Sequence, residues 1–354
     1  MNKDFSNDRP RAIDLGIKIG FMPQGVNNSI TDVPEVSVGH VTLIEGEGSL
    51  RIGHGPVRTG VTAILPHQGN IFRNKVTAAA HVINGFGKAI GLAQIEELGV
   101  IETPIALTST LSTWRVADGM IDYLARGNPG VLSFNPIVGE CNDGYLNDIV
   151  GRHVKPFHVT SAIEEATRPN IDEGNVGAGT GMTGFGWKGG IGTSSRVCDL
   201  PSGGYVIGVL VLTNTGDPRE LRIGGVQIGD SLMPPGLQSD IPGSIMIVVG
   251  TNAPVTARQL GRIGRRAALG LARAGGIANH NSGDFVISFS NSHDKLIVDD
   301  SHLTSLFRGC IEATEEAILN SILRASSLGG RDGNVRHSIP VEELLKIIPH
   351  VESD

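Results

Sequence analysis

Residues 245–249 form an unbroken run of five apolar side chains with two adjacent valines, closed by Gly250, the pattern of a buried strand. A longer apolar run, residues 204–213, stops at Asn214-Thr215-Gly216-Asp217, where asparagine and glycine favour a turn. Residues 284–290 alternate apolar with polar, residues 33–44 do so in part, and residues 61–65 run apolar up to Pro66; each predicts a strand. The period lengthens elsewhere. Residues 88–98 predict a helix ended by Gly99, and residues 112–126 another, stopped by Gly127 with Pro129 beyond. Thr160 or Ser161 with Glu164 gives a capping box for a short helix through Ala166. Residues 254–274 predict one amphipathic helix, with Pro254 in its first turn and Arg258, Arg262, Arg265, Arg266 and Arg273 on a solvated or subunit-facing side. Residues 303–325 predict a long helix and residues 341–348 a short one opened by Pro340. Alternating strands and helices require layers of sheet and helix, and no fixed-period repeat intervenes.

Two segments fall outside this scheme. Residues 174–192 are dense in glycine but lack the strand–loop–helix context of a dinucleotide loop, so they predict glycine-punctuated strands or a hairpin lining a pocket. Residues 216–244 are polar and carry Pro218, Pro234, Pro235 and Pro242, which predicts an exposed connection.

The chain has 354 residues, 40% of them hydrophobic, ample for a large core; length alone would allow two domains. Its net charge of −7 without a basic stripe, and its 4% aromatic content, argue against nucleic acid as a partner. Cys141, Cys198 and Cys310 are odd in number and widely spaced, so neither a disulfide framework nor a thiolate metal site is expected and the default compartment is reducing. No secretory leader and no stretch of ~20 apolar residues is visible, which predicts a soluble cytoplasmic protein with no membrane contact. His54 and His67 read as loop histidines satisfied by solvent, since neither has a second ligand at a metal-motif spacing.

The chemistry centres on the Gly243-Ser244 bond at the mouth of the strand that begins at residue 245. Attack of Ser244 Oγ on the Gly243 carbonyl would convert amide to ester, and water would then split the chain. The new terminal amine, of a kind that ordinarily titrates at about pH 7.7–8, could serve as base for its own hydroxyl. Pro-Gly-Ser is also a common turn, so the motif alone leaves both readings open.

Further segments narrow the choice: Pro10-Arg11-Ala12 through Gly16, Asn28-Ser29-Ile30-Thr31-Asp32-Val33, Gly53-His54-Gly55-Pro56-Val57-Arg58-Thr59-Gly60-Val61-Thr62, Gly139-Glu140-Cys141-Asn142-Asp143-Gly144-Tyr145-Leu146-Asn147-Asp148 and Asn281-Ser282-Gly283-Asp284. In order and content, together with Gly243-Ser244, they resemble the self-processing aminopeptidase family typified by DmpA (an L-aminopeptidase/D-amidase/D-esterase) and the β-peptidyl aminopeptidases. The resemblance implies a single domain, a four-layer αββα sandwich similar to N-terminal nucleophile hydrolases but wound differently. It implies cleavage into chains 1–243 and 244–354, associated as a tetramer of heterodimers, with no metal or organic cofactor. Ser244 matches the nucleophile, and Ser282 with Asp284 the pair that tunes its amine and hydroxyl, aspartate standing where relatives carry glutamate. Asn214 and Tyr145 match the oxyanion donors, and Glu140 the acid that grips a substrate's free amine. The expected activity is release of N-terminal residues from short peptides, amides or esters through an acyl-enzyme. Alternatives are a D-amino-acid or β-peptide amidase or esterase, an acyltransferase resembling ornithine acetyltransferase, and a binding protein that never cleaves.

Overall fold

The computed structural model describes residues 9–200, 203–236, 243–294 and 297–348. In chain order the elements are β1 (Ser37–Glu45), β2 (Val57–Leu65), β3 (Val76–Gly85), α1 (Leu92–Leu98), β4 (Val100–Ile101), β5 (Ile105–Ser109), α2 (Thr113–Gly127), β6 (Ile137–Cys141) and α3 (Pro156–Glu164). A short hairpin, β7 (Thr183–Gly184) and β8 (Trp187–Lys188), precedes β9 (Ile191–Leu200) and β10 (Gly203–Asn214), then a second hairpin, β11 (Arg222–Ile223) and β12 (Val226–Gln227). The remainder is β13 (Ser244–Thr251), α4 (Ala257–Gly264), α5 (Ala267–Arg273), β14 (Gly283–Ser290), α6 (Leu303–Leu323), β15 (Leu328–Gly329), β16 (Val335–Arg336) and α7 (Val341–Ile347).

Two sheets stack face to face. One orders its strands β1-β2-β5-β6, the other β4-β3-β14-β13-β10-β9. Period-two alternation decides where each side chain goes. Ile105, Leu107 and Ile137 of the smaller sheet meet Leu210, Leu212, Met246, Val248 and Ile287 of the larger in the layer between them. Val61, Ala63, Ala106 and Val138 turn outward onto α2 and α3 through Val116, Met120, Val159 and Ile163. On the far side Val209, Val211, Ile245, Ile247 and Val249 pack against Leu260, Ile263, Leu271 and Ala317 of α4, α5 and α6. The layers therefore run helix, sheet, sheet, helix, which is the expected αββα sandwich. All eight residues of β13 are buried because both of its faces are covered, hence an apolar run rather than alternation. Gly139 lets the sheets close on each other: a Cβ there would come within 2.3 Å of Met246 Cε.

Several boundaries differ from the sequence reading. The helix expected from residue 88 starts at Leu92, because Gly91 adopts φ 88°. The capping box at Thr160 or Ser161 does not form; α3 begins at Pro156, and both residues lie inside it. The single helix expected over residues 254–274 is two, opened by a Thr256–Gln259 capping box and interrupted at Arg265-Arg266. Its polar face is solvated, with Arg265 exposed, while four of the arginines also make contacts within the chain: Arg258 and Arg262 with Asp300, Arg266 over Phe307, Arg273 with the buried Glu315. The connection after Asn214 is not simply exposed, since Leu221, Ile223, Ile228 and Leu232 enter the core. His67 is buried and satisfied by backbone rather than solvent, with Nε2 2.8 Å from Asn74 O and Nδ1 accepting from Gly69 N–H at 3.0 Å.

Arg196 on β9 lies fully buried against α6, with Nη2 2.7 Å from Glu316 and Nε 3.2 Å from Glu312. Asn28 Nδ2 also donates to Glu316, at 2.6 Å, which ties the segment before β1 into the same cluster. Such a cluster adds little net stability, but losing its cation strands two buried carboxylates. Arg196→Ala is expected to cost about 3–5 kcal/mol in urea unfolding. A loss under ~1 kcal/mol would show that the carboxylates are held without it.

Candidate active site

Three strand ends meet at one point of the larger sheet. Ser244 opens β13 and Asn214 closes β10, and antiparallel register sets them directly opposite. On the other edge, parallel pairing sets Ser244 beside Gly283 and Ile245 beside Asp284. Ser244 shares a strand face with Met246 and Val248, so its side chain belongs to the layer between the sheets. There it faces Cys141 from the other sheet, which donates from Sγ to Leu212 O at 3.5 Å. Burial, and then the neighbouring Glu140, push the Cys141 thiol well above its ordinary range.

Ser282 Oγ donates to Asp284 Oδ1 at 2.6 Å, and both residues are buried. Asn84 Nδ2 holds the turn before them through Ser282 O at 2.5 Å and Asn279 O at 3.0 Å. Among the described residues Asp284 Oδ2 has no hydrogen-bond partner. Burial raises the carboxyl from 3.8 to about 6, against the opposing pull of the Ser282 hydroxyl and the Ile245 backbone. Gly243 lies alongside: a Cβ there would stand 2.9 Å from Thr215 Oγ1 and 3.0 Å from Ser282 Oγ, and its carbonyl accepts from Gly283 N–H at 3.4 Å. Pro242 and Ile241 lie outside the described residues.

The smaller sheet supplies the rest. Glu140, next to Cys141 on β6, is buried; Oε1 accepts from Lys88 N–H at 2.9 Å, and Oε2 accepts from the Thr110 hydroxyl. It is not a surface charge. Tyr145, half-buried, follows β6 in a loop anchored by Asp143, which accepts from Ser109 Oγ at 2.8 Å and Asn147 Nδ2 at 3.0 Å. Burial raises Asp143 to about 6. Tyr145 is linked to Asn214 through Arg336, stacked on its ring, and Thr183.

The geometry thus gathers Ser244, Asn214, Ser282, Asp284 and Gly243 directly, Glu140 through Cys141, and Tyr145 through two intermediaries. Thr215, Thr183, Arg336 and Asn84 join them unforeseen. Thr215 had a signal, following Asn214 at a strand end; Arg336, far along the chain, had none. Among the described residues no cluster of His, Cys, Asp or Glu could hold a metal, and no helix is long and apolar enough to cross a membrane.

The model of Peptidase family S58 matches residues 28–336. The chain belongs to peptidase family S58. It is 40% identical to the Beta-peptidyl aminopeptidase BapA of Sphingosinicella microcystinivorans over 370 residues, covering 97% of this chain and 93% of that one. The crystal structure of the PH0078 protein from Pyrococcus horikoshii OT3 superposes with a TM-score of 0.89 at 49% identity, covering 96% and 98% of the two chains. The L-aminopeptidase D-Ala-esterase/amidase from Ochrobactrum anthropi, described as a new variant among the Ntn hydrolase fold, gives a TM-score of 0.88 at 34% identity over 95% and 97%. This S58 member is therefore a peptide hydrolase of the aminopeptidase type, with an Ntn-hydrolase-like fold.

The raised carboxyl of Asp284 has a sign that can be measured. Between pH 3.8 and about 6 the folded chain holds a proton there that the unfolded chain has released, so this group lowers stability as pH rises through that window. In a Ser244→Ala background Asp284→Asn should gain stability relative to its parent on going from pH 4 to pH 7. A difference in urea midpoint that stays constant across that range would show that the carboxyl ionises normally.

Proposed function

We propose that this peptidase severs itself before Ser244 and then works as a serine aminopeptidase on short peptides, amides or esters. The observation that carries this reading is the register that sets Ser244 between Asn214 and the Ser282–Asp284 pair. Ser244 Oγ adds to the Gly243 carbonyl; collapse expels the Ser244 nitrogen as an amine and leaves an ester, which water hydrolyses to the Gly243 carboxylate. The products are chains 1–243 and 244–354. The freed amine takes the proton of its own hydroxyl when a substrate is attacked. Ser282 and the second carboxylate oxygen of Asp284, unpartnered among the described residues, provide the adjacent polar support for that amine. Asn214 and Tyr145 stabilise the oxyanion, Glu140 receives the substrate's ammonium, and the substrate's leaving amine departs before water regenerates the serine. No metal or organic cofactor enters these steps.

One observation favours acyl groups like those of β-peptides. The ester formed during self-cleavage is itself an acyl-enzyme whose acyl residue is Gly243. Thr215 Oγ1 and Ser282 Oγ crowd the position of a side chain on its α-carbon. An acyl group with an unsubstituted carbon next to its carbonyl, such as glycyl or β-alanyl, avoids that contact. Ser244, where ornithine acetyltransferases have threonine, weighs against the acyltransferase alternative. The buried, unpaired Cys141, Cys198 and Cys310 suit a reducing, cytoplasmic setting. Exposed Trp114 and Phe157 on α2 and α3 are compatible with assembly into a tetramer of heterodimers.

Denaturing gels and intact-mass measurement should show two chains for the wild type, the second beginning at Ser244, and one inactive full-length chain for Ser244→Ala. An uncut, active wild type would sink the mechanism. The ratio of kcat/KM for L-alanyl to β-alanyl p-nitroanilide should rise roughly tenfold in Thr215→Ala, the scale of one methyl group's fit in a pocket. An unchanged ratio would remove Thr215 from substrate selection.

A further inference from the structure

Arg336, at the end of β16, is buried, yet among the described residues no carboxylate lies within ion-pair distance of it. Buried guanidinium groups are ordinarily matched to an acid. Here burial pulls the pKa down, and Tyr145 is the neighbour that pulls it up. Its contacts lead to the oxyanion donors instead. Nε donates to Thr183 Oγ1 at 3.0 Å, and Thr183 N–H donates to Asn214 Oδ1 at 2.8 Å. Cζ lies 3.5 Å from the centroid of the Tyr145 ring. The segment that delivers Arg336 also grips the Tyr145 loop at three successive carbonyls. Arg331 Nε takes Gly144 O at 2.7 Å, Asn334 Nδ2 takes Tyr145 O at 2.8 Å, and Arg331 N–H takes Leu146 O at 2.9 Å.

We propose that Arg336 is a positioning residue that ties the two oxyanion donors together, fixing Tyr145 beneath its guanidinium and Asn214 through Thr183. With Oδ1 committed to Thr183 N–H, the amide of Asn214 has only its NH2 left to offer a neighbour. With a cation over its face, the Tyr145 ring is held in one orientation. Among the described residues the positive charge has no carboxylate partner, and it lies against both groups that would stabilise the negative charge of the tetrahedral intermediate. The inference rests on the roles given above to Asn214 and Tyr145.

The test is a double-mutant cycle in the processed enzyme with an alanyl or β-alanyl p-nitroanilide. Arg336→Met should lower kcat on the order of 10–100-fold, below the full loss of an oxyanion donor, while KM changes less than about threefold. In a Tyr145→Phe background the same substitution should cost at least fivefold less, because part of its effect passes through the tyrosine. Arg336→Lys keeps the charge but not the planar fork and should fall between Arg336 and Arg336→Met; it also serves where Arg336→Met fails to fold. Unchanged kcat, or equal losses in the Tyr145 and Tyr145→Phe backgrounds, would overturn the proposal by reducing Arg336 to a structural side chain. Wild-type enzyme that is cut and active while these variants match it defeats this inference alone; an uncut active wild type defeats the underlying mechanism.

Discussion

The site depends on β13 being hydrogen-bonded along both edges, antiparallel to β10 and parallel to β14. A strand paired on two sides and covered on two faces has almost no freedom left, so its first residue is as fixed as its centre. That constraint puts Ser244 level with Asn214 on one side and Gly283 on the other. No loop has to fold into place to bring these groups together. The same pairing keeps the backbone on the C-terminal side of Ser244 in place whether or not the bond on its N-terminal side is intact.

The layer between the sheets does a second job. Its apolar residues make the surroundings of Cys141 poor at solvating charge; Asp284, level with Ile245 and so on the helix-covered face of the larger sheet, is buried as well, and both groups hold their protons more tightly than usual. In such surroundings a fixed hydrogen-bond donor stabilises developing charge more than it would in water. Cys141 reaches this region from one sheet, while Ser244 and Asn214 reach it from the other. These groups are therefore held where the two sheets pack, with Gly139 against Met246 close by.

Much of this was legible in the chain itself. Apolar runs marked β10 and β13, because strands buried on both faces leave near-continuous hydrophobic stretches, and alternation marked β14; their ends carried Asn214, Ser244 and Asp284. The motif order pointed to the family. Helix starts were harder, because Gly91 in a left-handed conformation and Pro156 in a first turn override capping signals nearby. Position 336 could not have been singled out: a lone arginine in a short strand acquires meaning only when the fold lays it on Tyr145. Glu140 was singled out by the motif, but its enclosure by Lys88 and Thr110 shows only in the fold.

The six-stranded sheet interleaves strands from before and after Gly243, with β14 and β13 lying between β3 and β10. Scission in front of Ser244 would leave two polypeptides sharing one hydrogen-bonded ladder, neither with a complete core of its own. Such a pair could assemble only once, as a single tethered chain; after denaturation, recovery would become a second-order encounter between fragments. Maturation would then act as a ratchet, giving up the ability to refold unaided in exchange for a free amino terminus.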